Sequence, residues 1–73
     1  MLNELCKLHS KVAEDQWLKI ILTDDCHVLC DKEDDVMKSG NCFRITRPNG
    51  KIVSVNSSMV LMARIVNKER LVL

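Results

Sequence analysis

The segment Arg47-Pro48-Asn49-Gly50-Lys51 constrains the fold of this chain more than any other stretch. Proline fixes φ at about −65°, asparagine follows, and glycine supplies a residue free to take positive φ. That order is the chemistry of a type I turn closed by a glycine bulge, which joins two strands through a three-residue loop. Pairing the flanks around Asn49 sets Ile45 opposite Val53 and Phe43 opposite Val55, all on one face. Arg44, Thr46, Ile52, Ser54 and Asn56 share the other face. Turn chemistry and hydrophobic alternation select the same register independently, so an antiparallel hairpin is expected here.

The same parity test applies upstream. A two-residue turn at Asp24-Asp25 would mix polar and apolar side chains on both faces of the flanking strands. A three-residue loop, Thr23-Asp24-Asp25, instead sets Leu22 opposite Cys26, Ile20 opposite Val28 and Leu18 opposite Cys30. One face is then wholly apolar, and burial selects the odd-length loop. Trp17, Lys19, Ile21, His27 and Leu29 fall on the second face.

Before this hairpin, Leu2, Leu5, His9 and Val12 recur at helical spacing, so residues 1–13 read as a helix. Between the hairpins, Asp31 resembles an N-cap, Glu33 and Asp34 occupy a first turn, Lys38 a last turn, and Gly40 a stop. Residues 31–40 are therefore expected to form a short helix or helical loop. Met59 to Val66 reads either as a helix capped by Ser57 or Ser58, which Met, Leu and Ala favour, or as a strand, which Val60, Ile65 and Val66 favour. The strand leads, with Asn67-Lys68 turning into a last strand, Glu69 to Leu73. The sum is a single α+β, mainly β domain over 1–73: an N-terminal helix, then a four- or five-stranded antiparallel sheet or a small SH3-like or Sm-like barrel. The likeness is one of element order only.

A domain of 73 residues buries only about 60% of the surface its unfolded chain exposes, so it gains from association. With one Trp, one Phe and no Tyr, its core is aliphatic. Homo-oligomerisation is expected on both grounds. No apolar run approaches the roughly 20 residues of a membrane span, and no basic flank precedes an apolar stretch at the start. No membrane association and a cytoplasmic location are the expectations, with the thiols free.

Charge is segregated along the chain. Residues 1–37 carry nine acids against four lysines, and residues 38–73 carry seven cations against Glu69 alone. Such asymmetry raises the prospect of an anionic partner. The simpler expectation is that the two halves fold against each other, or against a neighbouring copy, and largely cancel.

Catalysis has little to stand on. Asp24-Asp25 and Asp34-Asp35 are carboxylate pairs in expected turns, without the apolar surroundings that raise a pKa. Gly40 and Gly50 are the only glycines, so no phosphate loop exists. Four cysteines and two histidines call for a zinc test. Cys6 and His9 share a helix face, but Cys26 and Cys30 would lie roughly 13 Å apart along a strand. The short Cys-x-x-Cys knuckle is missing. No cofactor and no enzymatic activity are expected, and a zinc-stabilised domain ranks last.

Two binding functions remain. In the first, a small non-enzymatic inhibitor or adaptor, on the scale of those encoded by bacteria or their phages, binds another protein. Its surface combines the acidic Asp31, Glu33, Asp34 and Asp35 with apolar Ile21, Leu29, Ile52, Met59 and Met62. In the second, an Sm-like module binds nucleic acid through Arg44, Arg47, Lys51, Arg64, Lys68 and Arg70. Scarcity of aromatics counts against base stacking, since Phe43 is expected inside and only Trp17 is free to stack. Protein binding leads.

Overall fold

A computed structural model describes residues 2–68. Helix α1 (Leu2–Ser10) is followed by strands β1 (Gln16–Leu22), β2 (His27–Cys30), β3 (Asp35–Ser39), β4 (Cys42–Thr46) and β5 (Ile52–Asn56). A single 3-10 turn (Ser57–Met59) leads into β6 (Val60–Asn67). The strands form two three-stranded antiparallel sheets. Sheet A has the order β2-β1-β6, and sheet B the order β3-β4-β5. No ladder joins the two sheets among the described residues, so the mainly β fold is not closed into a barrel.

Both hairpin registers derived from parity are present. Leu18 pairs with Cys30 and Ile20 with Val28 in sheet A, and the Leu22 N–H donates to the Cys26 carbonyl at 2.8 Å. Asp25 takes a left-handed φ of 66°, which closes the odd-length loop; Asp tolerates that region better than most residues. In sheet B, Ile45 pairs with Val53 and Phe43 with Val55. Gly50 sits at φ 90°, where the bulge needs it.

The expected helix over 31–40 is a correction. That segment is a turn at Asp31–Asp34 followed by strand β3, which pairs fully with β4 from Asp35↔Thr46 to Ser39↔Cys42. Gly40, at φ 61°, and Asn41 form a two-residue hairpin loop, not a helix stop. Six strands therefore replace the expected four or five. Helix α1 also ends sooner than expected. The Lys11 and Val12 amides bond three residues back, to Leu8 and His9, tightening the last turn. Met59 to Val66 is strand-like as expected, displaced by one residue. The expected last strand, Glu69 to Leu73, lies outside the described residues.

One core unites the two sheets and the helix. Leu18, Ile20 and Cys30 enter from sheet A, Phe43 and Ile45 from sheet B, and Leu5 and Val12 from α1 and its exit. Val55 is buried beside them, and Val36, Val53, Ala63 and Ile65 pack around the edge or are half-buried. Among the described residues, no helix is long and apolar enough to cross a membrane.

Candidate functional site

Two regions concentrate side chains beyond the needs of the core. The first is the corner where sheet A hands the chain to sheet B. Asp34 is 5% exposed, and its Oδ2 accepts from the Asp31 backbone N–H at 2.8 Å and from Arg47 Nη1 in an ion pair. The same Arg47 nitrogen donates to the Leu29 carbonyl at 2.8 Å. Asp31 is ion-paired to Lys68. Lys68 also donates to the Glu14 carbonyl at 3.2 Å and lies 5.5 Å from the centroid of the Trp17 ring. His9 Nε2 lies 2.7 Å from the Asp31 carbonyl. Two acids of one reverse turn, a cation at a hairpin tip and a cation after the last described strand thus meet at one corner.

This corner redistributes the expected binding residues. Asp34 has almost no accessible surface, and Asp31 is half-buried under Lys68. Glu33 is exposed in the turn, and Asp35 is exposed at the start of β3. Of the expected nucleic-acid residues, Arg47 and Lys68 are engaged with Asp34 and Asp31. Arg44 pairs across from Met37 and Ser54 on the outer face of sheet B, whereas Arg64 lies on the outer face of sheet A. Lys51 is exposed at the tip of the β4–β5 hairpin. Arg70 lies outside the described residues. Of the described cations of that set, only Arg47 and Lys68 come together, and both are ion-paired there; Arg44, Lys51 and Arg64 lie on separate elements. The two charge halves of the chain do meet within one subunit at these two ion pairs.

The second region is the outer face of sheet A. Because Leu18 and Ile20 point into the core, the intervening Trp17, Lys19 and Ile21 point away from it. Antiparallel pairing places Val66, Arg64 and Met62 directly beside them from β6. Strand β2 adds Leu29 beside Lys19 and His27 beside Ile21. Three strands thereby present Trp17, Ile21, Leu29, Met62 and Val66 as one surface, with Lys19, Arg64 and His27 set into it. The eight residues include no carboxylate. A shallow groove of about 300 Å³ crosses this face over Trp17, Leu29 and Val66. Trp17 is held there by its contact with Lys68.

Of the apolar residues expected at an interface, Ile21, Leu29 and Met62 are brought together here. Ile52, 60% exposed, stands opposite Thr46 on the outer face of sheet B. Met59 lies in the 3-10 turn, where its sulfur accepts from the Thr23 hydroxyl at 3.7 Å. Trp17 and Val66 were missing from the expected interface set. Trp17 shares strand parity with Ile21, which was signal enough, whereas Val66 is placed only by the β1–β6 pairing.

Among the described residues, no group of three or more His, Cys, Asp or Glu side chains is placed to hold an ion. All four thiols are free, with Cys26 exposed and Cys30 buried. Burial pushes the Cys30 thiol up to about 12, against the opposing pull of Arg47. The hydrogen bond and negative charge of Asp24 raise the Cys26 thiol. Thiolate, not thiol, is the nucleophile, so both groups are slowed for different reasons. Alkylation of the native protein followed by mass spectrometry is expected to leave Cys30 unlabelled. Asp24→Ala is expected to speed labelling of Cys26 severalfold by removing both the hydrogen bond and the negative charge of the carboxylate. Labelling of Cys30 at the rate of Cys26 would contradict this core.

Comparisons with protein-family models, curated proteins and solved structures find no match to this chain.

Proposed function

We propose that this chain is a small non-enzymatic interaction protein that binds another protein through the outer face of sheet A. The observation that carries this reading is the convergence of Trp17, Ile21, Leu29, Met62 and Val66 from three strands. Contiguous apolar surface of this kind, interrupted by cations and not shielded by acids, is what a docking face offers. Trp and Arg are also the side chains that most often dominate interface energetics. The missing carboxylates on this face select a partner surface that supplies them. The proposed setting is a reducing cytoplasm, in which the four cysteines stay as free thiols. The dispersal of the described basic residues makes a phosphate-tracking patch the weaker reading.

The test is a double variant, Ile21→Lys/Met62→Glu. Both side chains face away from the core, and the introduced charges are of opposite sign and directly paired across β1 and β6, so the circular dichroism spectrum and melting temperature should change little. A protein captured by the wild type, identified and titrated again in purified form, should retain affinity at high salt. It should lose most of that affinity against the double variant. Nuclease-sensitive retention of material absorbing at 260 nm, with a steep dependence on salt, would instead make the face a nucleic-acid site and overturn the reading.

A further inference from the structure

Strand β6 is hydrogen-bonded on one side only among the described residues, because sheet A ends with it in the order β2-β1-β6. Edge strands are usually blunted by proline, a bulge or brevity. Strand β6 has eight residues and no proline. Its irregularity is confined to one end. Ile21 pairs with Met62 and Leu22 with Val60, so Leu61 is the extra, bulged residue. From Met62 to Asn67 the edge is regular and, among the described residues, unpaired. A groove of about 320 Å³ runs along it over Arg64, Ile65, Val66 and Asn67. Arg64, Val66 and Asn67 also line the groove on the outer face, so edge and face form one continuous surface.

We propose that this edge takes an extended acidic segment of the protein partner as an added strand of sheet A. The inference rests on the protein-binding reading above and supplies its geometry. Main-chain hydrogen bonds to β6 would provide affinity, and the side chains of alternate residues would provide selection. On the outer face β6 presents Met62, Arg64 and Val66 in succession. The matching segment carries a carboxylate opposite Arg64, with apolar residues two positions to either side. Lys19, paired with Arg64 from β1, places a second cation one strand further in. Residues of the segment facing the other way would extend the apolar row of Ala63 and Ile65.

A second copy of this chain fits less well. Two β6 strands related by a two-fold axis at Arg64 would set the two guanidinium groups directly opposite each other, which is destabilising. Moving the axis by one residue either way places Arg64 beside Met62 or Val66 and forfeits charge pairing.

The test uses the full chain and a short synthetic peptide of alternating leucine and threonine with one central glutamate on the leucine face. Binding is followed by anisotropy of a label on the peptide and by emission of Trp17, the only tryptophan. Saturable binding is expected, with preference over the lysine counterpart of about fivefold or more. Arg64→Glu should reverse that preference. N-methylation of the alternate amides along one edge of the peptide should abolish binding, since it removes the ladder donors. Equal binding of glutamate and lysine peptides, or no binding of either, overturns the proposal. If two peptides, each N-methylated along a different edge, both bind undiminished, strand addition is overturned while the outer-face reading stands. Failure of Ile21→Lys/Met62→Glu to weaken binding of the natural partner overturns that reading separately. Self-association that the peptide does not displace assigns the edge to a second copy and also overturns the proposal.

Discussion

Arg47→Ala is expected to lower folding stability by about 3 kcal/mol or more, the cost of leaving a buried carboxylate without its cation. Asp34 is almost wholly enclosed, and without Arg47 its carboxylate keeps only the Asp31 N–H as partner among the contacts described. The Leu29 carbonyl loses its donor in the same step. For a domain of this size each kcal/mol moves Tm by about 4–8 °C, so a drop of more than about 12 °C is expected. Urea denaturation followed by circular dichroism measures it. Arg47→Met/Asp34→Leu should recover much of the loss, because removing both charges removes the desolvation cost. A loss below about 1 kcal/mol for Arg47→Ala would show that water reaches Asp34 and that the corner is not a closed tie.

Phe43→Ala is expected to destabilise the protein by about 3–5 kcal/mol. Phe43 is the only phenylalanine, is fully buried, and is the largest side chain at the centre of the core. It pairs with Val55 and Lys38 within sheet B and belongs to the cluster holding Leu18, Ile20 and Leu5. A chain of this length is stable by only about 4–11 kcal/mol, so the variant should be partly or wholly unfolded at 37 °C. Loss of proton NMR dispersion and of the cooperative urea transition would show it. Phe43→Leu keeps most of the volume and should cost roughly half as much or less. A cooperative melt for Phe43→Ala within a few degrees of wild type would place the centre of the core elsewhere.

The two long hairpins were legible because each has a local cause. Pro48, Asn49 and Gly50 dictate a turn, and alternation on either side dictates which residues face inward. At Thr23-Asp24-Asp25, parity alone sufficed. The segment 31–40 misled because its punctuation serves two structures. Asp31, Glu33, Lys38 and Gly40 satisfy the charge and stop rules of a helix, yet Gly40-Asn41 is also a two-residue hairpin loop. Val36 and Met37, adjacent in sequence, provide no period that separates the two. Pairing with β4 decides the matter, and that contact is not written in the segment itself.

The candidate site divides along the same line. Ile21 and Leu29 stood out because a local hairpin puts apolar side chains where water was expected. Their neighbours Met62, Arg64 and Val66 arrive from β6, about forty residues later, and only the β1–β6 ladder sets them side by side. Asp34 shows the limit most clearly. Within its own stretch it looks like a solvated acid in a charged turn. Its burial depends on Arg47 reaching across from another hairpin, and no local rule encodes that meeting.

The two sheets differ in how they draw on the chain. Sheet B uses residues 35–56 in unbroken succession, whereas sheet A takes β1 and β2 from before that stretch and β6 from after it. Contacts between near neighbours in sequence form quickly, and those that close a long loop form late. Sheet B is thus a meander that assembles from its own turns, and sheet A waits for β6 to return past the whole of it. During that interval β1, with Ile20, Ile21 and Leu22 in its second half, is itself an open strand edge. A chain delayed there meets other chains through β1, so the risk of misassociation in this protein lies at the edge of β1 that β6 covers last and not within sheet B.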